Sequence, residues 1–192
     1  IELEVGARHQ HRDRPAELPV GGRLAHADPH GPVARGRRGQ RVTHGVAQGV
    51  GIGGIGMSGL AEILMDQGFT ITGSDRSAND NTERVEGLGA TLYIGHDAGN
   101  VEPDVDVLVY SSAIRAGNPE LTAARAAGIP LVRRATLLAA LMRRQRGVCV
   151  AGMHGKTTTS ALLAYALERL EARPSFAVGW LAPQLSPHAR FA

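Results

Sequence analysis

The chain has 192 residues, 43% of them apolar and 4% aromatic, with one cysteine and a formal net charge of +3. One cysteine excludes an intramolecular disulfide, and the scarcity of aromatics requires a core built from Ala, Val, Leu and Ile. No apolar run is long enough to span a bilayer and no signal peptide stands at the start, so a reducing, cytoplasmic setting without membrane insertion is expected. The basic surplus is segregated: residues 1–47 hold eight arginines against five acids, and residues 48–192 carry equal numbers of each sign. That tail has no aromatic residue for base stacking, which argues against a nucleic-acid partner despite a pI near 9.6.

Residues 1–47 show neither a two-residue nor a 3.6-residue period, and they cluster Arg, Gly, Pro and His as in Arg35-Gly36-Arg37-Arg38-Gly39. Such a segment buries too little apolar surface to offset its chain entropy. It is expected to be a disordered tail, or sequence that is not authentic coding, such as an overextended start in a GC-rich gene. From about residue 50 strands and helices alternate. A glycine loop, Gly51 to Gly56, opens a helix from Met57 to about Gln67, which Gly68 stops. Phe69–Gly73 reads as a strand ending at Ser74-Asp75, Asn81–Leu88 as a short helix and Thr91–Ile94 as a third strand. Val105–Tyr110 is a strand emptying into Ser111-Ser112; Pro119 opens a helix to about Ala127, and Ile129–Val132 is a further strand. Thr136–Arg144 is helical. Gly147-Val148-Cys149-Val150-Ala151 reads as a buried parallel strand with Cys149 as a small core residue, followed by a helix from Thr157 to Leu170. Repeated strand–helix units predict an α/β fold, a Rossmann-like doubly wound parallel sheet over 48–146, with ligands beyond the carboxyl ends of its strands. Residues 147–192 read as the truncated start of a P-loop ATPase domain.

The lysine count singles out the second loop. Lys156 is the only lysine among 21 basic residues, and it lies in Gly152-Met153-His154-Gly155-Lys156-Thr157-Thr158 between a strand and a helix. Glycine amides can converge there on phosphate oxygens, a compact ammonium reaches the β/γ-phosphates, and a threonine hydroxyl meets Mg²⁺. The bland alternative is a tight turn with an exposed lysine. In the first loop Gly51, Gly53 and Gly56 fit G-x-G-x-x-G, and Asp75 ends the next strand where a ribose-binding acid is expected. Its alternative is a turn that lets helix and strand pack closely. The preceding Val46-Ala47-Gln48-Gly49-Val50 reads as a poor strand, because glutamine and glycine stand where an apolar run is expected. A dehydrogenase needs only the first loop and a kinase only the second. Both together predict one nucleotide-linked substrate and, separately, a nucleoside triphosphate.

Four runs stand in one order: Gly51-Ile-Gly-Gly-Ile-Gly-Met-Ser-Gly-Leu-Ala-Glu62, Gly73-Ser-Asp75, Ser111-Ser-Ala-Ile114 with Asn118-Pro-Glu120, and Gly152 to Thr158. Over about residues 50–180 the chain resembles the Mur ligases, and within them the alanine-adding branch. The resemblance implies an ATP-dependent ligase joining L-alanine to the lactyl carboxylate of UDP-N-acetylmuramate through an acyl phosphate, with ATP and Mg²⁺. It implies that Gly51, Gly53, Gly54 and Gly56 face the UDP diphosphate, that Asp75 approaches the ribose or uracil, and that Ser111, Ser112 and Ala113 reach the diphosphate or sugar. For each serine, capping of the following segment is the equal alternative. Gly152, Met153, His154, Gly155, Lys156, Thr157 and Thr158 would hold ATP, with Lys156 and Thr157 catalytic and Thr157 on Mg²⁺. His96 and Arg134 match family positions, although a surface-loop histidine and an exposed charge at a helix start account for them as well.

Three departures bear on function. Met153 replaces the usual threonine, Gly179-Trp180 stands for a Gly-Gly pair, and Leu181 to Ala192 fits the pattern poorly. The further metal ligands, the adenine pocket and an amino-acid domain are not in the sequence, so these 192 residues are expected not to complete the reaction alone. The alternatives are a non-catalytic UDP-sugar-binding fragment, an NAD-dependent oxidoreductase using Gly51 to Asp75, and a sister ligase with another amino acid.

Overall fold

The computed structural model describes residues 2–5, 45–143, 146–178 and 189–190. Its centre is a five-stranded, wholly parallel sheet of β2 (Val46–Val50), β3 (Thr70–Asp75), β4 (Thr91–Ile94), β5 (Val107–Tyr110) and β6 (Leu131–Arg133), ordered β4-β3-β2-β5-β6. Strand β1 (Glu2–Val5) lies apart from this sheet, paired elsewhere. Helices α1 (Ile55–Asp66), α2 (Asp80–Gly87) and α4 (Arg134–Met142) cover one face, where Ile52, Leu60, Ile63, Ile71, Val85, Val109 and Leu141 form the main core. Helix α3 (Pro119–Ala126) covers the other, with Val50, Leu108, Leu121 and Ala124. Alternate residues of one strand therefore serve opposite layers, which is why β2 and β5 are apolar on both sides.

Local chemistry sets the element ends. Asn79 accepts the amides of Asn81 and Thr82, and Thr82 returns a bond to the Asn79 amide, a reciprocal cap that starts α2. Asn118 caps α3 with Pro119 in its first turn. Helix α1 stops at Gly68, whose φ of +88° lets its amide and that of Phe69 satisfy the last carbonyls.

The structure corrects three expectations. Val46–Val50 is the central strand of the sheet, not a poor one, so the sheet begins two residues before position 48. Gln48 is fully buried and donates its amide to Glu120 at 2.8 Å, while the space beside Gly49 is filled by Ile52 and Met57. A polar residue and a glycine fit a central strand when a partner and a neighbouring side chain wait for them.

β7 (Val148–Ala151) is neither buried nor parallel: its sheet partner among the described residues is β1, antiparallel, and Val148 is exposed. Cys149 is exposed as well, not a core residue. Strand chemistry alone does not bury a segment; sheet neighbours and covering layers do. Helix α5 (Lys156–Arg169) follows β7, and β8 (Phe176–Ala177) pairs with β9 (Ala189–Arg190) in a ribbon whose Ala189 approaches Gly59 of α1. The tail expectation for residues 6–44 and the one for Gly179-Trp180 lie outside the described residues.

Candidate functional site

The chain runs outward from β2 to β3 and β4, then returns to β5 on the other side of β2 and continues to β6. The carboxyl ends of β2 and β5 thus diverge into loops that leave a crevice, the usual ligand position of such sheets. Gly51 and Ser111 stand at those two ends. Gly51 takes a φ of +79°, and a Cβ there would lie 3.3 Å from Ser111 Cβ and from Ile114 Cδ1. Both conformation and space demand glycine.

The loop is pinned from behind. The Gly51 and Ile52 amides donate to the Ser74 carbonyl at 2.8 and 3.0 Å, and the Gly53 amide donates to Asp75 Oδ2 at 2.8 Å. A Cβ on Gly53 would meet Asn79 Nδ2 at 2.5 Å and Asp75 Oδ2 at 2.9 Å. Asp75 is therefore a brace for the loop as well as a candidate ribose ligand, its other oxygen accepting the Arg76 amide. Gly54 caps α1 without any side-chain bond, and the first turn of α1 carries no acid. Ser111 Oγ accepts the Ala113 amide at 3.3 Å, so this serine shapes its own turn, whereas α3 takes its cap from Asn118; Ser112 and Ala113 are exposed.

Arg134, the first residue of α4, brings its guanidinium to this helix start. A Cβ on Gly56 would lie 2.8 Å from Arg134 Nη1. Arg134 has no ion pair or hydrogen bond among the described residues, and it lines a cavity of about 90 Å³ with Gly56, Gly59, Ala177 and Ala189. A cation and the positive end of a helix repel each other, so their convergence suits an anion that lies against both. In sequence Arg134 is either a match to a family position or an exposed charge at a helix start; its contact with Gly56, 78 positions away, shows only in the fold.

His96 is not a surface-loop residue. Its side chain is 15% exposed, and Nδ1 lies 2.9 Å from Glu120 Oε1 and 3.1 Å from Ser74 Oγ. Glu120 is fully buried and also accepts from Ser74 Oγ and Gln48 Nε2. Nothing along the chain marks Glu120, Ser74 and Gln48 as a group. Asn118-Pro119-Glu120 looks like a helix start with a first-turn acid, and only the fold shows that this acid points into the protein.

In the second loop Gly152 and Gly155 take φ of +145° and +75°, and α5 starts directly at Lys156 with no side-chain cap. Lys156 Nζ donates to the carbonyls of Gly152 and Met153 at 2.5 and 3.0 Å, folding the ammonium over its own loop. Met153, His154, Lys156, Thr157 and Thr158 are exposed, Met153 at 88%. The loop stands open, with amides and an ammonium collected at a helix N-terminus. Among the described residues no group of three His, Cys, Asp or Glu gathers as a metal site, and no helix is long and apolar enough to cross a membrane.

Residues 46–146 match the Mur ligase family, catalytic domain. The UDP-N-acetylmuramate–L-alanine ligase of Laribacter hongkongensis is 52% identical over 130 residues, which cover 68% of this chain and 28% of that protein. The enzyme of the same name from Burkholderia cenocepacia is 51% identical over 130 residues with the same coverage. The chain thus spans 28% of the length of these curated relatives. Among solved structures, the UDP-N-acetylmuramate-alanine ligase of Thermotoga maritima superposes with a TM-score of 0.71 at 32% identity, over 76% of this chain and 34% of that one. The UDP-N-acetylmuramate:L-alanyl-gamma-D-glutamyl-meso-diaminopimelate ligase of Neisseria meningitides gives 0.72 at 31% identity, over 76% and 46%. With more than half of its length matched, on a sheet that superposes on those of solved ligases, this chain belongs to the Mur ligase family.

Proposed function

We propose that residues 46–146 hold UDP-N-acetylmuramate and that residues 147–178 open the ATP site of a ligase that joins L-alanine to the lactyl carboxylate of that nucleotide sugar, a step in peptidoglycan precursor synthesis in the cytoplasm. The observation that carries the reading is the pair of glycine loops. Each lies at a strand-to-helix junction, and each has its own cation, Arg134 at the first and Lys156 at the second. A nicotinamide oxidoreductase would leave the second loop without a task. The 51–52% identical relatives are L-alanine ligases by name, which favours L-alanine as the amine.

Each group then has a physical role. The free amides at the start of α1 and the Arg134 guanidinium neutralise the diphosphate, and Gly53 and Gly54 admit it close to the backbone. Asp75 retains unshared lone pairs for a ribose hydroxyl, and Ser111, Ser112 and Ala113 offer hydroxyls and amides from the facing strand end. At the second loop the Lys156 ammonium leaves its carbonyl partners for the β/γ-phosphates, while Thr158 and the amides of Gly152 to Gly155 hold phosphate oxygens. The lactyl carboxylate attacks the γ-phosphorus, ADP departs, and the amine of L-alanine displaces phosphate from the acyl phosphate. Charge on the transferring phosphoryl group is the main demand of the first step, and the Lys156 ammonium meets it.

The Thr157 hydroxyl fits Mg²⁺, since it sits exposed at the helix start with no hydrogen-bond partner among the described residues. Bound there, the ion would screen the phosphate charges. Because these residues span 28% of the relatives, we assign them substrate holding rather than complete turnover. Calorimetry of the 192-residue chain is the test. UDP-N-acetylmuramate should bind more tightly than NAD, and Mg-ATP should bind independently of it; preference for NAD would favour the oxidoreductase instead.

A further inference from the structure

We propose that Asn81 is a positioning residue for the diphosphate, its side-chain amide holding the Gly53–Gly54 peptide with the carbonyl turned away from the crevice. The loop then faces an anion with its amides alone. The inference rests on the diphosphate reading above and adds a residue that sets the loop without touching the ligand.

Arg84 fixes which way Asn81 points. Its guanidinium donates through Nε to Glu62 Oε1 at 2.7 Å and through Nη2 to Ser58 Oγ at 3.0 Å, and both partners are buried. The remaining Nη1 donates to Asn81 Oδ1 at 3.0 Å. A guanidinium accepts no hydrogen bond, so the Asn81 oxygen faces Arg84 and the Asn81 NH₂ faces away from it. There it meets the Gly53 carbonyl, Nδ2 donating at 2.9 Å. The Asn79 cap accepts the Asn81 backbone amide at 2.9 Å, which fixes this first turn of α2 beside the loop.

Gly53 is held by both of its polar groups. Its amide goes to Asp75 Oδ2 and its carbonyl to Asn81, on the side of the loop where β3 leads into α2. Ser111, at the end of β5, stands on the other side. At the start of α1 the Ile55 and Gly56 amides have no hydrogen-bond partner among the described residues, and the Gly54 amide has the Gly51 carbonyl at 3.3 Å. These are the donors an arriving anion meets.

Asn81 opposes a rotation of the Gly53–Gly54 peptide. Such a rotation exchanges carbonyl and amide, turning the oxygen from α2 toward Gly51 and the crevice. It carries the φ of Gly54 from −68° to positive values, which glycine adopts readily and other residues do not. Asp75 restrains the preceding peptide, through the Gly53 amide, and leaves this one free. The Gly54 amide adds little, since its bond to Gly51 is long at 3.3 Å. A carbonyl in the crevice repels a diphosphate, so a loop populating both orientations binds with its affinity reduced to the competent fraction. The 2.9 Å bond from Asn81 favours the competent orientation.

The test uses the whole chain. Titration calorimetry of Asn81→Ala should show UDP-N-acetylmuramate binding about three- to tenfold more weakly than to wild type, the effect of one neutral hydrogen bond. Mg-ATP affinity should be unchanged and the melting temperature nearly so. Unchanged UDP-sugar affinity, or an equal loss for both nucleotides, overturns the inference while leaving the nucleotide-sugar reading intact; absence of any UDP-sugar binding by wild type overturns both. A ligand-free check comes from residual dipolar couplings of the Gly54 amide in an aligned medium. Wild type should fit one peptide orientation, and Asn81→Ala should move toward an averaged value. Asn81→Asp, which keeps the acceptor for Arg84 and loses the donor to Gly53, gives the same reading if Asn81→Ala does not fold. Averaged couplings in wild type, or wild-type couplings in the folded variants, overturn the proposal.

Discussion

The Gly53 amide donates to Asp75 Oδ2 at 2.8 Å across 22 positions of sequence, and the same carboxylate oxygen lies 2.9 Å from where a Gly53 Cβ would be. The glycine loop and the strand-end acid are one unit: the acid holds the loop, and the missing side chain lets it.

Gly53→Val should therefore fail twice, by blocking the backbone from a phosphate and by displacing Asp75 and Asn79. UDP-N-acetylmuramate binding should weaken by more than about tenfold and the melting temperature should fall. Gly54→Ala is the control, because its Cβ would meet nothing nearer than the Gly51 carbonyl at 3.4 Å and its φ of −68° suits any residue. Its melting temperature should match wild type in differential scanning calorimetry. Equal stability losses in both variants would refute the bracing role of Asp75.

Arg134→Ala should separate binding from folding. Arg134 has no ion pair to lose among the described residues. Affinity for the UDP-sugar should drop by about tenfold to a hundredfold, the range for a charged hydrogen bond, with little change in melting temperature. Undiminished affinity would remove the guanidinium from the site.

Arg84 is the structural counterpart. It donates to Glu62 at 2.7 Å and to Ser58 Oγ and Asn81 Oδ1 at 3.0 Å, tying α2 to α1, and Glu62 is only 4% exposed. Arg84→Ala leaves that carboxylate buried and unpaired, at a cost of about 3 kcal/mol. Adding Glu62→Gln should recover part of the loss in urea denaturation. Additive losses would show that the pair is not coupled.

Asp66 supplies a pH dependence. Its carboxyl is held above the ordinary range by partial burial, against the lowering influence of Arg190. A raised acid favours the folded state below its unfolded pKa and loses that contribution as pH rises through the folded value. Asp66→Asn should raise the melting temperature slightly at neutral pH and have no such effect in acid. An increase that persists unchanged at low pH would point to another cause.

Lys156→Met, assayed in a complete ligase carrying this loop, should cost about 3–4 kcal/mol in transition-state stabilisation, seen in phosphate release that requires both UDP-N-acetylmuramate and L-alanine. Lys156→Arg should not restore it, since a planar fork carries its charge in a different place and cannot fold onto the Gly152 and Met153 carbonyls as an ammonium does. Near-normal turnover by either variant would deny the lysine its role.

The alternation of strands and helices, both glycine loops and Asp75 were legible along the chain because each depends on neighbours within a few residues: periodicity, a cap, a glycine where the backbone turns. The helix start at Pro119 followed from the same local rules, and the one expected at Thr157 falls one residue earlier, at Lys156. Three things were settled by tertiary contact. Gln48 sits in the central strand because Glu120, 72 positions away, accepts its amide. Val148–Ala151 stays exposed because a strand is buried by its neighbours, and β1 alone pairs with it among the described residues. Arg134 and His96 matched family positions in sequence, but what they touch does not show there; long-range packing set one against the start of α1 and the other against a buried carboxylate. Patterning specifies which elements form, but charge placement depends on which strand ends meet, and that is decided by the order β4-β3-β2-β5-β6.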